Sequence, residues 1–266
     1  GRLAALLLDA ELVRGGSAEA GEREREDQFT RAAQEFLNEG YTAQTQGDEA
    51  AAAAAFQEAI AQAEAGAAAD PSNPRAQILL GEAAVEAAEY GKAGEAYALA
   101  LVLRPAYEEE TKAFREQQWV RLYNEAIPAL QAGEYETALP ILAAADRIYG
   151  VRPEIKLLLG QVYAQQEQYE EAIEAMEDAR SVIESPRIEE VDTATARSWR
   201  EGAADINPTI AQSLIRLERF GDAVPVLEEL IVEYPQEIAY VFSLADAFRE
   251  IDQTDDAIGL YNEVAS

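Results

Sequence analysis

Carboxylates are the chemically capable side chains this sequence supplies most freely. Runs such as Glu108-Glu109-Glu110 and Asp255-Asp256 set acids side by side, as general acid–base catalysis or cation ligation would require. Neither chemistry is carried through. With 51 acidic residues against 21 basic, such neighbours follow from composition and read as solvated faces. A calcium loop alternates oxygen ligands around a glycine turn, and Asp252 to Gly259 lacks that alternation. Ser213 and Ser243 have no histidine to activate them, because the chain contains none. The absence of cysteine removes thiol catalysis, disulfides and cysteine-ligated zinc. No glycine-rich phosphate loop follows a strand. The expectation is a protein with no catalytic residue, no cofactor and no metal site, and so not an enzyme.

Charge and hydropathy narrow the partners. The formal net charge is −30, and only Lys92, Lys112 and Lys156 are lysines. No basic stripe is available for phosphates, which excludes nucleic acid and an anionic membrane surface. No run reaches the ~20 apolar residues of a membrane span, and the cluster Leu3 to Leu8 is far shorter. The acidity has two readings. A basic ligand could be steered by the field. Alternatively, the surface is of the halophilic kind, solvated and screened by salt, which the scarce lysine and missing cysteine favour. Compartment stays open, with cytoplasmic favoured over periplasmic.

Alanine is abundant and β-branched residues are few, which favours helices. A ladder of small and large residues then organises the chain. Ala52, Ala93, Ala138, Ala172, Ala223 and Ala257 mark six copies. Four residues after each stand Phe56, Tyr97, Leu142, Met176, Leu227 and Tyr261, and seven after the first five stand Ala59, Ala100, Ala145, Ala179 and Leu230. Twelve residues before each stand Gly40, Gly81, Ala126, Gly160, Ala211 and Ala245. Aromatics precede four markers by three residues, at Tyr90, Tyr135, Tyr169 and Phe220. Helices approach closely only where side chains are small, so each copy reads as two helices crossing at its small residues.

This ladder resembles the tetratricopeptide repeat, whose period is about 34 residues. Marker spacings are 41, 45, 34, 51 and 34, so three copies carry insertions. The resemblance covers Ala33 to the end, with Pro105, Pro186 and Pro235 near the family's closing proline. It implies an all-α, right-handed α-α superhelical solenoid of stacked antiparallel helix pairs. Residues 1–27 read as an N-terminal helix and linker, and 28–266 as one repeat domain. Its units run roughly 28–73, 74–107, 108–152, 153–186, 187–236 and 237–266. Residues 61–73 predict a prolonged second helix and a proline-punctuated turn, and 106–118 a lengthened first helix. Residues 187–205 predict either an added helix or a long helix broken near Pro208. Pro128, Pro140 and Pro225 fall inside helices and are expected to kink them.

By the same resemblance, first helices of successive pairs line a concave groove for a peptide or partner protein. The implied lining is Tyr41, Gln44, Ile78, Glu82, Val85, Tyr123, Ile127, Leu157, Gln161, Gln165, Gln212, Arg216, Phe242, Asp246 and Arg249. These types do not match the lysines and asparagines with which some family members clamp a terminal carboxylate. The implied function is a non-enzymatic protein-binding scaffold. An alternative is a regulatory or assembly segment of a larger enzyme or cell-envelope machine. Self-association through residues 1–14, or through an uncapped C-terminal end, is a further expectation.

Overall fold

The computed structural model describes residues 26–264, and every regular element among them is helical. They divide into two compact units between Gly150 and Val151, where the sequence reads as one continuous domain. The expected helix and linker in residues 1–25 lie outside the described residues.

The first unit holds three helix pairs. They are α1 (Gln28–Gln46) with α2 (Glu49–Ala69), α3 (Pro74–Glu86) with α4 (Tyr90–Leu103), and α6 (Lys112–Ala132) with α7 (Tyr135–Ile148). A single-turn helix, α5 (Tyr107–Glu110), leads into α6. Caps set the starts. Asp27 accepts from the Phe29 and Thr30 amides while the Thr30 hydroxyl accepts from the Asp27 amide, a reciprocal box. Asn73 caps α3, and Pro74 fills its first turn, where no amide is needed. The prolonged α2 and α6 account for the insertions at 61–73 and 106–118. Arg115, almost wholly buried, ties α6 down by donating to the carbonyls of Glu108 and Ile148.

The second unit pairs α8 (Pro153–Gln165) with α9 (Tyr169–Glu184), α11 (Ile206–Arg216) with α12 (Phe220–Glu233), and α13 (Ile238–Glu250) with α14 (Thr254–Val264). The insertion at 187–205 is an added helix, α10 (Thr193–Gly202), flanked by short 3-10 turns, and Pro208 lies in the first turn of α11. Successive pairs stack in the expected order: α9 packs on α11, and α12 on α13. Helical geometry continues through Pro128, Pro140 and Pro225. Pro105, Pro186 and Pro235 each stand two residues past the end of a second helix.

The ladder is the core. All six marker alanines are buried, as are Phe56, Tyr97, Leu142, Met176 and Leu227. A β-carbon on Gly40 would lie 2.3 Å from the Phe56 ring, one on Gly81 2.8 Å from the Tyr97 ring, and one on Gly160 2.8 Å from Met176. Tyr97 therefore fills the space within its own pair. The three glycines are not equivalent. Met176 can swing aside, whereas Phe56 is wedged edge-on against Tyr41. Gly40→Ala is expected to destabilise by about 2 kcal/mol despite alanine's better helix propensity. Gly160→Ala is expected within about 0.5 kcal/mol of the parent. Urea unfolding of both variants checks the order.

The turn inside every pair has one shape. Gly47, Ala88, Gly133, Glu167, Glu218 and Asp252 adopt positive φ, between 57° and 76°, each five residues before its marker alanine. The next amide reaches back five residues to a carbonyl, as Glu89 N–H does to Ala84 at 2.8 Å. Only two of the six residues are glycine. Ala88→Gly, Glu167→Gly and Glu218→Gly should therefore each stabilise by about 0.5–1 kcal/mol, because a Cβ strains the left-handed region. Asp252→Gly should gain less, since aspartate tolerates that region. Thermal unfolding of the variants tests this.

Candidate functional site: a cavity between first helices

In the first unit, α1, α3 and the extended N-terminal half of α6 line an open cavity of about 640 Å³. Tyr41, Glu82 and Glu86 form one wall; Phe114, Gln117, Gln118, Val120 and Arg121 form the other. Each has a reason to be there. Tyr41 follows Gly40 on α1 and Glu82 follows Gly81 on α3, so the residue beside each close helix contact points along the same side. Four residues on from Glu82, Glu86 lies one turn further along that side. The α6 residues reach it because the insertion lengthens that helix backwards.

The polar groups divide into satisfied and unsatisfied. Glu86 accepts from Gln44 at 3.4 Å and pairs with Arg121 at 3.3 Å. Arg121 also approaches the Val85 carbonyl at 3.5 Å. Glu82 has no hydrogen-bond or ion-pair partner among the described residues. Burial, reinforced by the charge of Glu86, pushes its carboxyl up to about 7, and Arg75 only partly offsets this. Burial first, then Glu86 and Glu82, raises the Tyr41 hydroxyl well above its ordinary value. Gln118 is only 6% exposed, and its amide oxygen has no partner.

The expected lining is only partly brought together. Tyr41 and Glu82 line the cavity, and Gln44 borders it through Glu86. Ile78 and Val85 do not line a groove: they are 1% and 2% exposed. The reason is that α3 packs directly on α1, and both side chains are enclosed as core. Tyr123 is half-buried, its ring stacked on Trp119 at 5.4 Å, with Ile127 one turn beyond.

The second unit departs further. Along α8, Glu154, Leu157 and Gln161 form one stripe, and α10 with its following turn covers it. Trp199 Nε1–H donates to Glu154 at 3.0 Å, Gly202 sits on Leu157, and Gln161 donates to Asp205 at 3.1 Å. Leu157 and Gln161 are therefore covered by the chain itself, while Gln165 at the end of α8 is exposed. Gln212 and Arg216 are exposed on α11. Phe242, on α13, is exposed beside Tyr261, and Asp246 is engaged by Arg249 at 2.9 Å and by the Tyr261 hydroxyl at 2.8 Å. These last five lie on open helix surface, apart from the cavity of the first unit.

Phe114, Gln118 and Arg121 were not legible as site residues. They precede or flank the part of α6 that aligns with the repeat, and only the folding-back of that extension brings them near Glu82. Among the described residues, no group of three or more His, Cys, Asp or Glu is placed to hold a metal, and no helix is long and apolar enough to cross a membrane.

Comparisons agree with this architecture. Tetratricopeptide-repeat family models match residues 37–108, 129–188 and 209–266. No protein of curated function matches by sequence. Among solved structures, MamA is 14% identical, covering 87% of this chain and 88% of its own, with a TM-score of 0.39. A tetratricopeptide repeat protein from Parabacteroides merdae is 17% identical, covering 88% and 79%, with a TM-score of 0.35. A thermophilic repeat protein from Thermus thermophilus is 19% identical, covering 82% and 99%, with a TM-score of 0.31.

Proposed function

The chain belongs to the tetratricopeptide-repeat family, and from that premise we propose that it is a protein–protein interaction scaffold whose first unit receives an extended segment of its partner. One observation carries the choice of unit. The first helices of unit one leave the 640 Å³ cavity open beside Tyr41 and Glu82, whereas the α8 stripe in unit two is covered by α10. Tyr41, Phe114 and Val120 offer apolar contact; Gln44, Glu82, Gln117 and Arg121 offer hydrogen bonds or charge. Tyr123 and Ile127 continue the surface along α6. A preformed groove on packed helices loses little entropy when filled. Within the second unit, Gln212 and Arg216 on α11 and Phe242, Asp246 and Arg249 on α13 offer a contact surface of their own.

The test is selection from a capped peptide library on the intact chain at low and high salt, followed by titration of the enriched peptide. Tyr41→Ala combined with Tyr123→Ala is expected to weaken binding about 30-fold or more, the loss typical of a central aromatic anchor. Far-ultraviolet circular dichroism should stay unchanged. Failure to enrich any peptide class, or an unaltered affinity in the double variant, overturns the reading.

A further inference from the structure

One carboxylate lining this cavity has no partner within the protein. Glu82, on α3, has a carboxyl with neither a hydrogen bond nor an ion pair among the described residues. A half-buried carboxylate with no cation beside it is poorly compensated, because only water offsets its partial desolvation. Ionised, Glu82 can only accept, so what it lacks is a donor with positive charge. Glu86 cannot be that site's main attraction, since Arg121 and Gln44 already engage it. Beside the polar Gln117 and the Glu86–Arg121 pair, Tyr41, Phe114 and Val120 give the walls apolar and aromatic surface, which suits an aliphatic stem.

We infer that this cavity is an anchor site for a single alkylammonium or guanidinium group, the end of a lysine or arginine side chain on the protein partner, paired with the Glu82 carboxylate. The inference rests on the scaffold reading above and specifies its chemistry. It also gives the site a pH response. The groups facing Glu82 are Arg75 and Glu86 on its own helix, Tyr41 from α1, Tyr97 from α4 and Arg121 from α6. In the empty site Glu82 holds its proton up to about pH 7. A bound cation favours the carboxylate, so binding expels that proton. Affinity for the cation then rises with pH below 7, by up to about tenfold per unit, and levels off above it.

The probes are n-butylammonium and n-butylguanidinium, with n-butanol as the uncharged control, titrated into the full chain at about 150 mM salt to screen the general acidic field. Chemical shifts of the Gln118 side-chain amide and the Tyr41 ring report the site. Saturable shifts are expected with both cations and none with butanol, with affinity roughly 25-fold weaker at pH 5.5 than at pH 7.5. Glu82→Gln should weaken cation binding at least tenfold and flatten the pH profile. Equal shifts with butanol, non-saturating shifts spread over the acidic surface, or an unchanged Glu82→Gln variant each overturn the inference. Peptides lacking lysine and arginine that still bind through Tyr41 would leave the scaffold reading standing and sink this one alone.

Discussion

Trp199→Ala is expected to destabilise the second unit by about 3–4 kcal/mol, a loss on the scale of the largest truncations of buried aromatics. Trp199 is 3% exposed and packs in one cluster with Ile173, Met176, Ile183, Ile206 and Ile210, drawn from α9 and α11. Its indole N–H also supplies Glu154 with a donor that only Arg152, at 2.9 Å, would then provide. Truncation removes both, and α10 has little else to hold it, since Ala196 is its only other buried side chain. Hydrogen exchange should therefore accelerate first over Thr193–Gly202, with Leu157 and Gln161 on α8 losing their cover. Trp199→Phe keeps most of the apolar area and loses the hydrogen bond, so it should cost about 1–2 kcal/mol. Urea unfolding followed by segment-resolved exchange measures both. A Trp199→Ala variant within about 1 kcal/mol of the parent would mean that α10 decorates the unit without closing the α8 stripe.

That closing of α8 illustrates where sequence reasoning stopped. The ladder from Gly40 to Phe56, Gly81 to Tyr97 and Gly160 to Met176 was legible because a small residue and a large one must face each other across every pair. The requirement repeats, so the pattern repeats. An insertion carries no such pairing rule, and residues 187–205 alone do not say which surface they fold back upon. Trp199 was the available signal: a tryptophan in an otherwise charged segment has to be buried somewhere. The burial of Ile78 and Val85 was hidden for a different reason. Helical register tells which way a side chain points, but not how near the neighbouring first helix lies. The left-handed turns at Ala88, Glu167 and Glu218 were masked because the residues there are not the glycines that usually mark them. The cavity between Glu82 and Gln118 needs three helices in register and cannot be read from any one of them.

Glu82→Gln is expected to stabilise the protein at pH 8 by about 2–3 kcal/mol and to change little at pH 4. The folded chain holds this carboxyl up to about 7, against an ordinary value of 4.5. Below about pH 4.5 the group is protonated in both folded and unfolded chains and contributes nothing. Between there and about pH 7 the unfolded chain releases the proton while the folded chain keeps it, so native stability falls steadily. Above about pH 7 both are ionised and the penalty is constant, on the order of 3 kcal/mol at about 1.4 kcal/mol per unit. Glutamine carries no charge at any of these values and escapes the penalty. The net charge of −30 imposes its own pH dependence through self-repulsion, so the informative quantity is the difference between variant and parent at each pH. Glu177→Gln, at an exposed position on α9, supplies the control for removing one charge. Urea midpoints for the three proteins at pH 4 and pH 8 decide it. A gain for Glu82→Gln equal at both values, or no larger than that of Glu177→Gln, would show that Glu82 is not held against its own ionisation. A gain that appears only at high pH would show that folding disfavours ionisation of Glu82, and, if the cation-anchor inference holds, the same variant would be the more stable protein and the poorer binder.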